Sequence, residues 1–196
     1  RDWDKGGLDV ASLFYSCSQP QKEAETLADS LPPEMVKFKA AEGNPVFKGT
    51  GDSTWDRGIR ERGYILKEDD GYHMWYTGFG SDEDVMHLGY ATSPDGITWT
   101  RYPGNPVHTT HWVEDMSVIK VDSIYYMFAE GRGDTAHLMT STDRIHWKEH
   151  GDLNIRKKNG DPIEPGPYGT PTIWRENNKW WLFYERGDLG IWVATS

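Results

Sequence analysis

The chain has 196 residues, which is enough for one ordinary domain with a hydrophobic core. Asp and Glu outnumber Lys and Arg by 31 to 21, and a net charge of −10 would repel a phosphate backbone, so nucleic-acid binding is not expected. No stretch approaches the roughly 18 apolar residues that a membrane-spanning helix needs. Ten Trp, ten Tyr, 21 Gly and 11 Pro are typical of short strands joined by tight turns.

Residues 1–43 differ in composition from the rest of the chain, and we interpret them as an N-terminal extension. The only cysteine, Cys17, follows a serine and precedes a polar stretch, which is similar to the junction of a bacterial lipoprotein. However, the charged stretch Arg1–Ser12 is not the apolar region that such a signal requires. A lipid anchor at Cys17 and a surface extension with an unpaired thiol therefore both stay open. Glu23–Leu31 is compatible with a short helix that ends at Pro32.

Residues 44–196 predict a second unit made of short β-strands. Tyr64–Lys67 and Tyr72–Thr77 flank a tight polar reversal, as in a β-hairpin. Leu88–Thr92 is a third predicted strand, and a Ser-Pro-Asp-Gly turn follows it, in which Pro restricts φ and Gly permits positive φ. We expect Ile97–Trp99 to open a fourth strand.

This four-stranded pattern is repeated along the chain. Lys67–Tyr72 aligns without a gap to Lys120–Tyr125, and Ser93–Trp99 aligns without a gap to Ser141–Trp147. One aromatic position recurs at intervals of 53 and 55 residues: Trp75, Phe128 and Phe183. A four-stranded unit with a period near 50 residues is typical of a β-propeller blade. The sequence therefore predicts an all-β chain with about three propeller blades.

The third copy of the repeat stops at Ala194–Ser196, which corresponds to Ala91–Ser93 in the first copy. A propeller closes into a ring that protects its sheet edges, and about three blades do not close one. We therefore expect the sequence to be a fragment of a longer protein.

Residues 44–196 resemble the five-bladed β-propeller glycoside hydrolases of the arabinanase/β-xylosidase-like and invertase-like families. The strands Gly71–Thr77 and Ser123–Glu130, the turn Ser93–Trp99 and the segment Val113–Met116 carry this resemblance. The resemblance implies five blades in the full protein and a central cavity lined by the first residues of the innermost strands. It also implies three carboxylates in that cavity: a base or nucleophile, an orienting or tuning group, and a general acid.

The resemblance extends to individual carboxylates. Glu114-Asp115-Met116 is similar to an invertase-like Arg-Asp-Pro motif, which implies that Asp115 is the tuning carboxylate. Glu61 falls where these families carry their first Asp, and Asp56 competes with it for the role of base. The matching start of the third blade, Tyr168–Thr172, contains no carboxylate. The general acid therefore stays open, with three carboxylates of the chain as candidates: Glu130, Glu164 and Glu185.

The residues expected to bind a sugar lie at strand starts and loop mouths. Three aromatic side chains are expected to stack on a sugar ring: Trp55, Trp112 and Tyr168. Arg60 and Arg62 are expected to bind an acidic or sulfated sugar, and the remaining candidates are Glu114, His137 and Thr170. No Cys/His cluster has zinc spacing and no Gly-rich loop precedes a helix, so no metal or nucleotide cofactor is predicted. A structural Ca²⁺ remains compatible with the resemblance, although no residue identifies it.

The expected activity is glycoside hydrolysis of an oligosaccharide or polysaccharide outside the cytoplasm, in the periplasm or the extracellular space. The separation of the two catalytic carboxylates, which the sequence does not reveal, would distinguish retention at about 5–5.5 Å from inversion at about 6.5–9.5 Å. Two alternatives stay open. One is a glycoside phosphorylase of similar fold, with phosphate held by Arg57, Arg60 and Arg62. The other is a non-catalytic carbohydrate-binding propeller, for which the missing carboxylate at Gly169-Thr170 is the evidence.

Overall fold

The computed structural model describes residues 38–51, 53–80 and 86–196, and Pro45–Ser196 forms one compact unit. Residues 38–44 belong to a separate N-terminal unit, Arg1–Asn44. The proposed lipidation site Cys17 and the short helix at Glu23–Leu31 lie outside the described residues. Within the described ranges the regular elements are β-strands, which confirms the all-β prediction. No helix among these residues is long and apolar enough to cross a membrane.

The strands form three antiparallel sheets in which chain neighbours pair with one another. The first sheet contains β1 (Gly58–Glu68), β2 (Gly71–Phe79), β3 (His87–Ser93) and β4 (Thr100–Arg101). The second contains β5 (Glu114–Val121), β6 (Ile124–Gly131), β7 (Thr135–Ser141) and β8 (Lys148–Asp152). The third contains β9 (Gly169–Glu176), β10 (Lys179–Glu185) and β11 (Ile191–Thr195). The first strands of the sheets are neighbours, because β5 contacts both β1 and β9. This is the arrangement of consecutive propeller blades around their inner strands.

The predicted hairpin repeat is present at the level of single contacts. Lys67 pairs with Tyr72 across the β1–β2 hairpin, and Lys120 pairs with Tyr125 across the β5–β6 hairpin. In both hairpins the lysine ammonium lies 5.0 Å from the centroid of the tyrosine ring. The sequence repeat therefore corresponds to a repeated register.

The turn after β3 ends later than the sequence predicted. Asp95 Oδ1 accepts hydrogen bonds from the amides of Ile97 at 2.8 Å and Thr98 at 2.7 Å. The Trp99 indole donates to the carbonyl of Gly96 at 3.1 Å. The expectation that Ile97–Trp99 opens the fourth strand is wrong, since the turn uses these groups and β4 begins at Thr100. The second blade repeats these bonds with Asp143, Arg144, Ile145, His146 and Trp147.

Two hydrophobic clusters lie between adjacent blades. Trp75 of the first blade is fully buried against the second blade, and its indole donates to the carbonyl of Arg144 at 3.0 Å. The other members of this cluster include Leu88, Val113, Met116, Met127 and Met139. The second cluster joins the second and third blades through Phe128, Ile155, Ile173, Leu182 and Tyr184. Burial of these side chains determines how the inner strands stand beside one another.

An ionic cluster, which we call the Glu68 clamp, joins the end of β1 to the second blade. Glu68 accepts hydrogen bonds from Lys120 at 2.5 Å, Tyr125 at 2.6 Å and Arg144 at 3.1 Å. Arg144 also donates to Asp70 at 2.9 Å. Burial opposes the ionisation of Glu68, but the hydrogen bonds from Lys120 and Tyr125 outweigh it, so that the pKa of Glu68 is lowered. The clamp therefore holds an ionised carboxylate between two blades.

Candidate active site

The three inner strands begin with the same backbone distortion. Glu61, Asp115 and Thr170 have φ values of 51°, 45° and 46°, in the left-handed region that costs a non-glycine residue about 1–2 kcal/mol. The register between the inner strand and its neighbour shifts at each of these places. Such β-bulges redirect side chains and are common next to active sites. The bulges place Glu61, Asp115 and Thr170 at equivalent positions of three consecutive blades.

Glu61 and Asp115 interact directly across the boundary between the first two blades. The Asp115 carboxyl is close enough to hydrogen-bond the protonated form of Glu61. This hydrogen bond is the main reason why the pKa of Glu61 is raised; burial and the charge of Asp115 add to it, and Arg60 opposes it. The Glu61 side chain is half exposed. The pair therefore favours the protonated form of Glu61 at an open part of the site.

Arg60 and Glu114, the residues that precede the pair, form an ion pair between β1 and β5 through Nε and Oε2. Glu114 is buried, whereas the Arg60 side chain is 42% exposed and also approaches Glu61 at 3.7 Å. Glu114 therefore holds Arg60 beside the carboxyl pair. Arg62 lies in β1, and its side chain is outside the described part of the structure.

The third blade has hydrogen-bond donors at the start of its inner strand, the position at which a carboxylate was expected. The amide and hydroxyl of Thr170 donate to Glu130 Oε2 at 2.5 Å and 3.2 Å. Gly169 makes room for this contact, because a Cβ there would lie 2.0 Å from Glu130 Oε2. Burial raises the pKa of Glu130; the bonds from Thr170 oppose this, and the charges of Asp134 and Asp115 add to it. Glu130 is therefore a buried carboxyl group close enough to Asp115 to sense its charge.

The two other candidates for the acid have local partners. Glu164 is exposed and forms an ion pair with Lys157, and hydrogen bonding to Lys157 lowers the pKa of Glu164. Glu185 accepts a hydrogen bond from the amide of Asp188. Neither contact reaches the Glu61–Asp115 pair.

Asp56 anchors the loop that precedes β1. It is only 2% exposed, and Oδ2 accepts hydrogen bonds from Arg101 at 3.0 Å and from Tyr76 at 3.2 Å. Thr50 donates to its other oxygen. The neighbouring Trp55 stacks on Tyr76 with a centroid distance of 5.8 Å. These contacts pack Asp56 and Trp55 within the first blade, and their expected roles as base and stacking platform stay predictions.

A cavity of about 270 Å³ brings together Trp112 and His137. Trp112 is two residues before Glu114, and its ring lies 5.6 Å from the guanidinium of Arg132. His137 is buried, its Nε2 has no hydrogen-bond partner among the described residues, and burial lowers its pKa. Tyr168 borders the same region through a bridge to Thr135, also a cavity residue. Three of the expected sugar-binding residues are therefore grouped.

Sequence reasoning missed the contact between Glu130 and Thr170. The signal was available in the repeat, since Gly169 stands where the first two blades have Arg60 and Glu114. A glycine at that place indicates that another group approaches the backbone closely. The approaching group comes from β6 of the second blade, and only the packing of the blades identifies it.

Comparison with known proteins supports this class of fold. No protein-family model matches the chain. It is 29% identical over 135 residues to the 1,2-β-oligomannan phosphorylase of Thermoanaerobacter sp. (strain X514), covering 60% of the chain and 45% of that protein. It is 24% identical to the β-1,2-mannobiose phosphorylase of the same organism, covering 82% of the chain and 58% of that protein. Sucrose-6-phosphate hydrolase of Escherichia coli is 26% identical, with coverages of 62% and 28%. The chain thus spans about half the length of the two phosphorylases that it matches, 45% of one and 58% of the other.

Solved structures of the same kind superpose on the chain. A structure described as a glycoside hydrolase is 25% identical, with a TM-score of 0.58 and coverages of 72% of this chain and 47% of that chain. A structure from the GH130 family of mannoside phosphorylases, described as containing hydrolases of β-1,2-mannosidic linkages in Candida mannan, is 19% identical with a TM-score of 0.61. It covers 82% of this chain and 55% of that chain. The chain therefore has the fold of propeller glycoside hydrolases and phosphorylases, and the findings do not single out the arabinanase-like or invertase-like families.

Proposed function

We propose that the protein cleaves glycosidic bonds of an oligosaccharide or polysaccharide by hydrolysis, with Glu61 as the general acid, Asp115 as its tuning carboxylate and Glu130 as the base. One observation carries this proposal: two carboxyl groups meet at equivalent bulges of adjacent inner strands, where hydrogen bonding to Asp115 raises the pKa of Glu61. Inner-strand starts line the centre of a propeller, where a substrate has access. The relatives whose names specify an activity act on glycosides, which supports the same class of reaction.

The proposed role of Glu61 is to protonate the leaving group. Glycosidic cleavage needs an acid that protonates the leaving oxygen as the bond from the sugar carbon to that oxygen breaks. Hydrogen bonding to Asp115 raises the pKa of Glu61, which keeps Glu61 protonated to a higher pH than a free glutamate. Glu61 therefore suits the acid better than the base expected from the sequence, and Asp115 keeps the tuning role.

A water molecule must attack the sugar carbon and lose a proton to a second carboxylate. Glu61 and Asp115 cannot be this acid and base on opposite sides of the bond, because hydrogen-bonded carboxyl groups are closer than the roughly 5 Å that even retaining enzymes require. Glu130 is the next carboxyl group, and the Asp115 charge contributes to its raised pKa. We assign the base to Glu130.

Phosphorolysis is the second candidate, because the close spacing of the pair favours it. In this reaction inorganic phosphate attacks the sugar carbon in place of water, so that the protein needs only the acid. Two of the relatives are phosphorylases of β-1,2-linked mannosides, which makes such mannosides the first substrates to test. Arg60, one of three arginines expected to hold phosphate, is engaged by Glu114.

The test is incubation with β-1,2-mannobiose and a panel of other oligosaccharides, with and without inorganic phosphate. Free reducing sugar in both conditions indicates hydrolysis, and a phosphate-dependent sugar 1-phosphate indicates phosphorolysis. Glu61→Gln is expected to lower kcat by about 10²–10⁴-fold, the usual contribution of general acid catalysis. Asp122→Asn is the matched control, because Asp122 lies in the exposed β5–β6 turn with φ 54°, which Asn tolerates.

The pH profile separates a catalytic pair from a structural one. Activity should fall as pH rises through the raised pKa of Glu61, since the acid then loses its proton. Asp115→Asn removes the neighbouring charge, so the pKa of Glu61 should drop and this limb should move to lower pH. Unchanged activity and an unchanged pH limb in both variants would refute the assignment. Tight glycan binding without turnover would instead identify a non-catalytic binding propeller.

A further inference from the structure

His108, His111 and Glu149 form a cluster outside the carboxylate site. His108 lies in the connection between β4 and β5, and its carbonyl accepts a hydrogen bond from the amide of Leu88 at 3.1 Å. It is therefore attached to β3 of the first blade, whereas Glu149 lies in β8 of the second blade. His111 follows His108 after three residues and is 62% exposed.

The potential ligand atoms of the cluster converge on one point. Nε2 of His108 lies 2.6 Å, and Nδ1 of His111 lies 2.5 Å, from the same oxygen, Oε1 of Glu149. The two imidazole rings are nearly parallel, with an interplanar angle of 17° and a centroid distance of 6.3 Å. One nitrogen from each histidine and one carboxylate oxygen therefore lie within 4.8 Å of one another.

A second, independent feature is an unsatisfied nitrogen. The His108 side chain is only 8% exposed, and its Nε2 has no hydrogen-bond partner of acceptable geometry in the described part of the chain, despite its contact with Glu149. Buried polar atoms normally have a hydrogen-bond partner or an ion, so each exception requires an explanation. A metal ion between this nitrogen and the carboxylate would supply the missing partner.

The donor set selects the kind of metal. Two imidazole nitrogens and one carboxylate oxygen are typical of zinc sites that keep a fourth position open, whereas Ca²⁺ and Mg²⁺ prefer oxygen ligands. Zinc ligands at about 2.0–2.1 Å in a tetrahedron stand about 3.3 Å apart, so each histidine nitrogen needs to move away from the carboxylate oxygen by less than about 1 Å. Rotation of the exposed His111 side chain accommodates such a change.

The fourth position has room. His111 and Glu149 line the cavity of about 270 Å³ that also contains Trp112 and His137. The Nε2 of His137 is buried without a hydrogen-bond partner among the described residues, as is that of His108. Water in this cavity would complete the coordination.

We propose that His108, His111 and Glu149 bind one Zn²⁺ ion, which links the first blade to β8 beside the cavity. Sequence spacing alone did not indicate it, because the third ligand is 38 residues from His111. The site shares its cavity with the expected sugar-binding residues Trp112 and His137, but none of its ligands is a proposed catalytic carboxylate.

The test is calorimetric titration of the chelator-treated full chain with Zn²⁺. The expected result is one Zn²⁺ per chain, and a melting temperature that rises with Zn²⁺. His111→Ala and Glu149→Gln should each weaken Zn²⁺ binding at least about 10–100-fold, since even indirect partners of metal ligands have effects of this size. The exposed His111 is not needed for packing, so this variant is expected to fold.

His146→Ala is the matched control, because His146 is an exposed histidine whose partner is Asp143. It should bind Zn²⁺ as the wild type does. The d–d absorption of bound Co²⁺ provides a second readout, and its loss in His111→Ala with retention in His146→Ala supports the assignment. Three results would each overturn it: the wild type binds no stoichiometric Zn²⁺, the wild type prefers Ca²⁺ to Zn²⁺, or the His111→Ala and Glu149→Gln variants bind Zn²⁺ as tightly as the wild type.

Discussion

Removal of the Arg144 side chain is expected to loosen the first blade from the second. Arg144 occupies the place that Gly96 has in the first blade, and both residues have positive φ, 75° and 78°. Its guanidinium donates to Glu68 and Asp70 in the Glu68 clamp. In Arg144→Ala these bonds are lost, whereas Glu68 retains Lys120 as a partner.

The magnitude follows from how well each partner is shielded from water. Glu68 is 14% exposed, so its charge-assisted hydrogen bond to Arg144 contributes about 1.5–2 kcal/mol. Asp70 is 57% exposed, and such a pair contributes about 1 kcal/mol or less. Arg144→Ala should therefore lower the free energy of unfolding by about 2–3 kcal/mol.

Arg144→Gly is the informative companion variant. It removes the same ionic bonds. Glycine, however, adopts the left-handed backbone conformation without the steric cost of a Cβ, which recovers about 1 kcal/mol relative to alanine. The glycine variant should consequently lie between the wild type and the alanine variant in stability. Urea unfolding followed by tryptophan fluorescence measures this order through the transition midpoint at a constant slope. An alanine variant within 0.5 kcal/mol of the wild type on this scale, roughly the experimental uncertainty, would contradict the clamp. A glycine variant less stable than the alanine variant would contradict the backbone argument.

Two further substitutions address the interior of the blades. Glu130→Gln should raise the free energy of unfolding at pH 7 but not at pH 4. The raised pKa of Glu130 favours the folded state at low pH, and this contribution is lost as pH rises through that pKa. Urea titrations at the two pH values check this, and an equal effect at both would contradict it. Gly89→Ala should cost about 1–3 kcal/mol, because its Cβ would lie 2.3 Å from the ring of Tyr76. An unchanged melting temperature would show that the ring moves freely.

The sequence alone was sufficient for the repeated parts of the fold. The alternation of buried and exposed residues acts over a few residues, and so do the turns in which Asp95 and Asp143 bind nearby amides. Both patterns can therefore be recognised in the sequence. Even the site positions Glu61, Asp115 and Thr170 could be aligned, since each precedes the same hairpin. The start of β4 was predicted too early, because the Asp95 side chain accepts hydrogen bonds from two amides that were expected to belong to the strand.

Tertiary structure decided what these positions do. Asp115 raises the pKa of Glu61, and Glu130 meets Thr170, only because adjacent inner strands pack side by side. Asp56 looked like a competing base in the sequence, yet the first blade buries it against Arg101. Each of these outcomes depends on distances between residues far apart in the chain. Such distances are determined by how the blades bury their apolar faces against each other, which local sequence patterns do not encode.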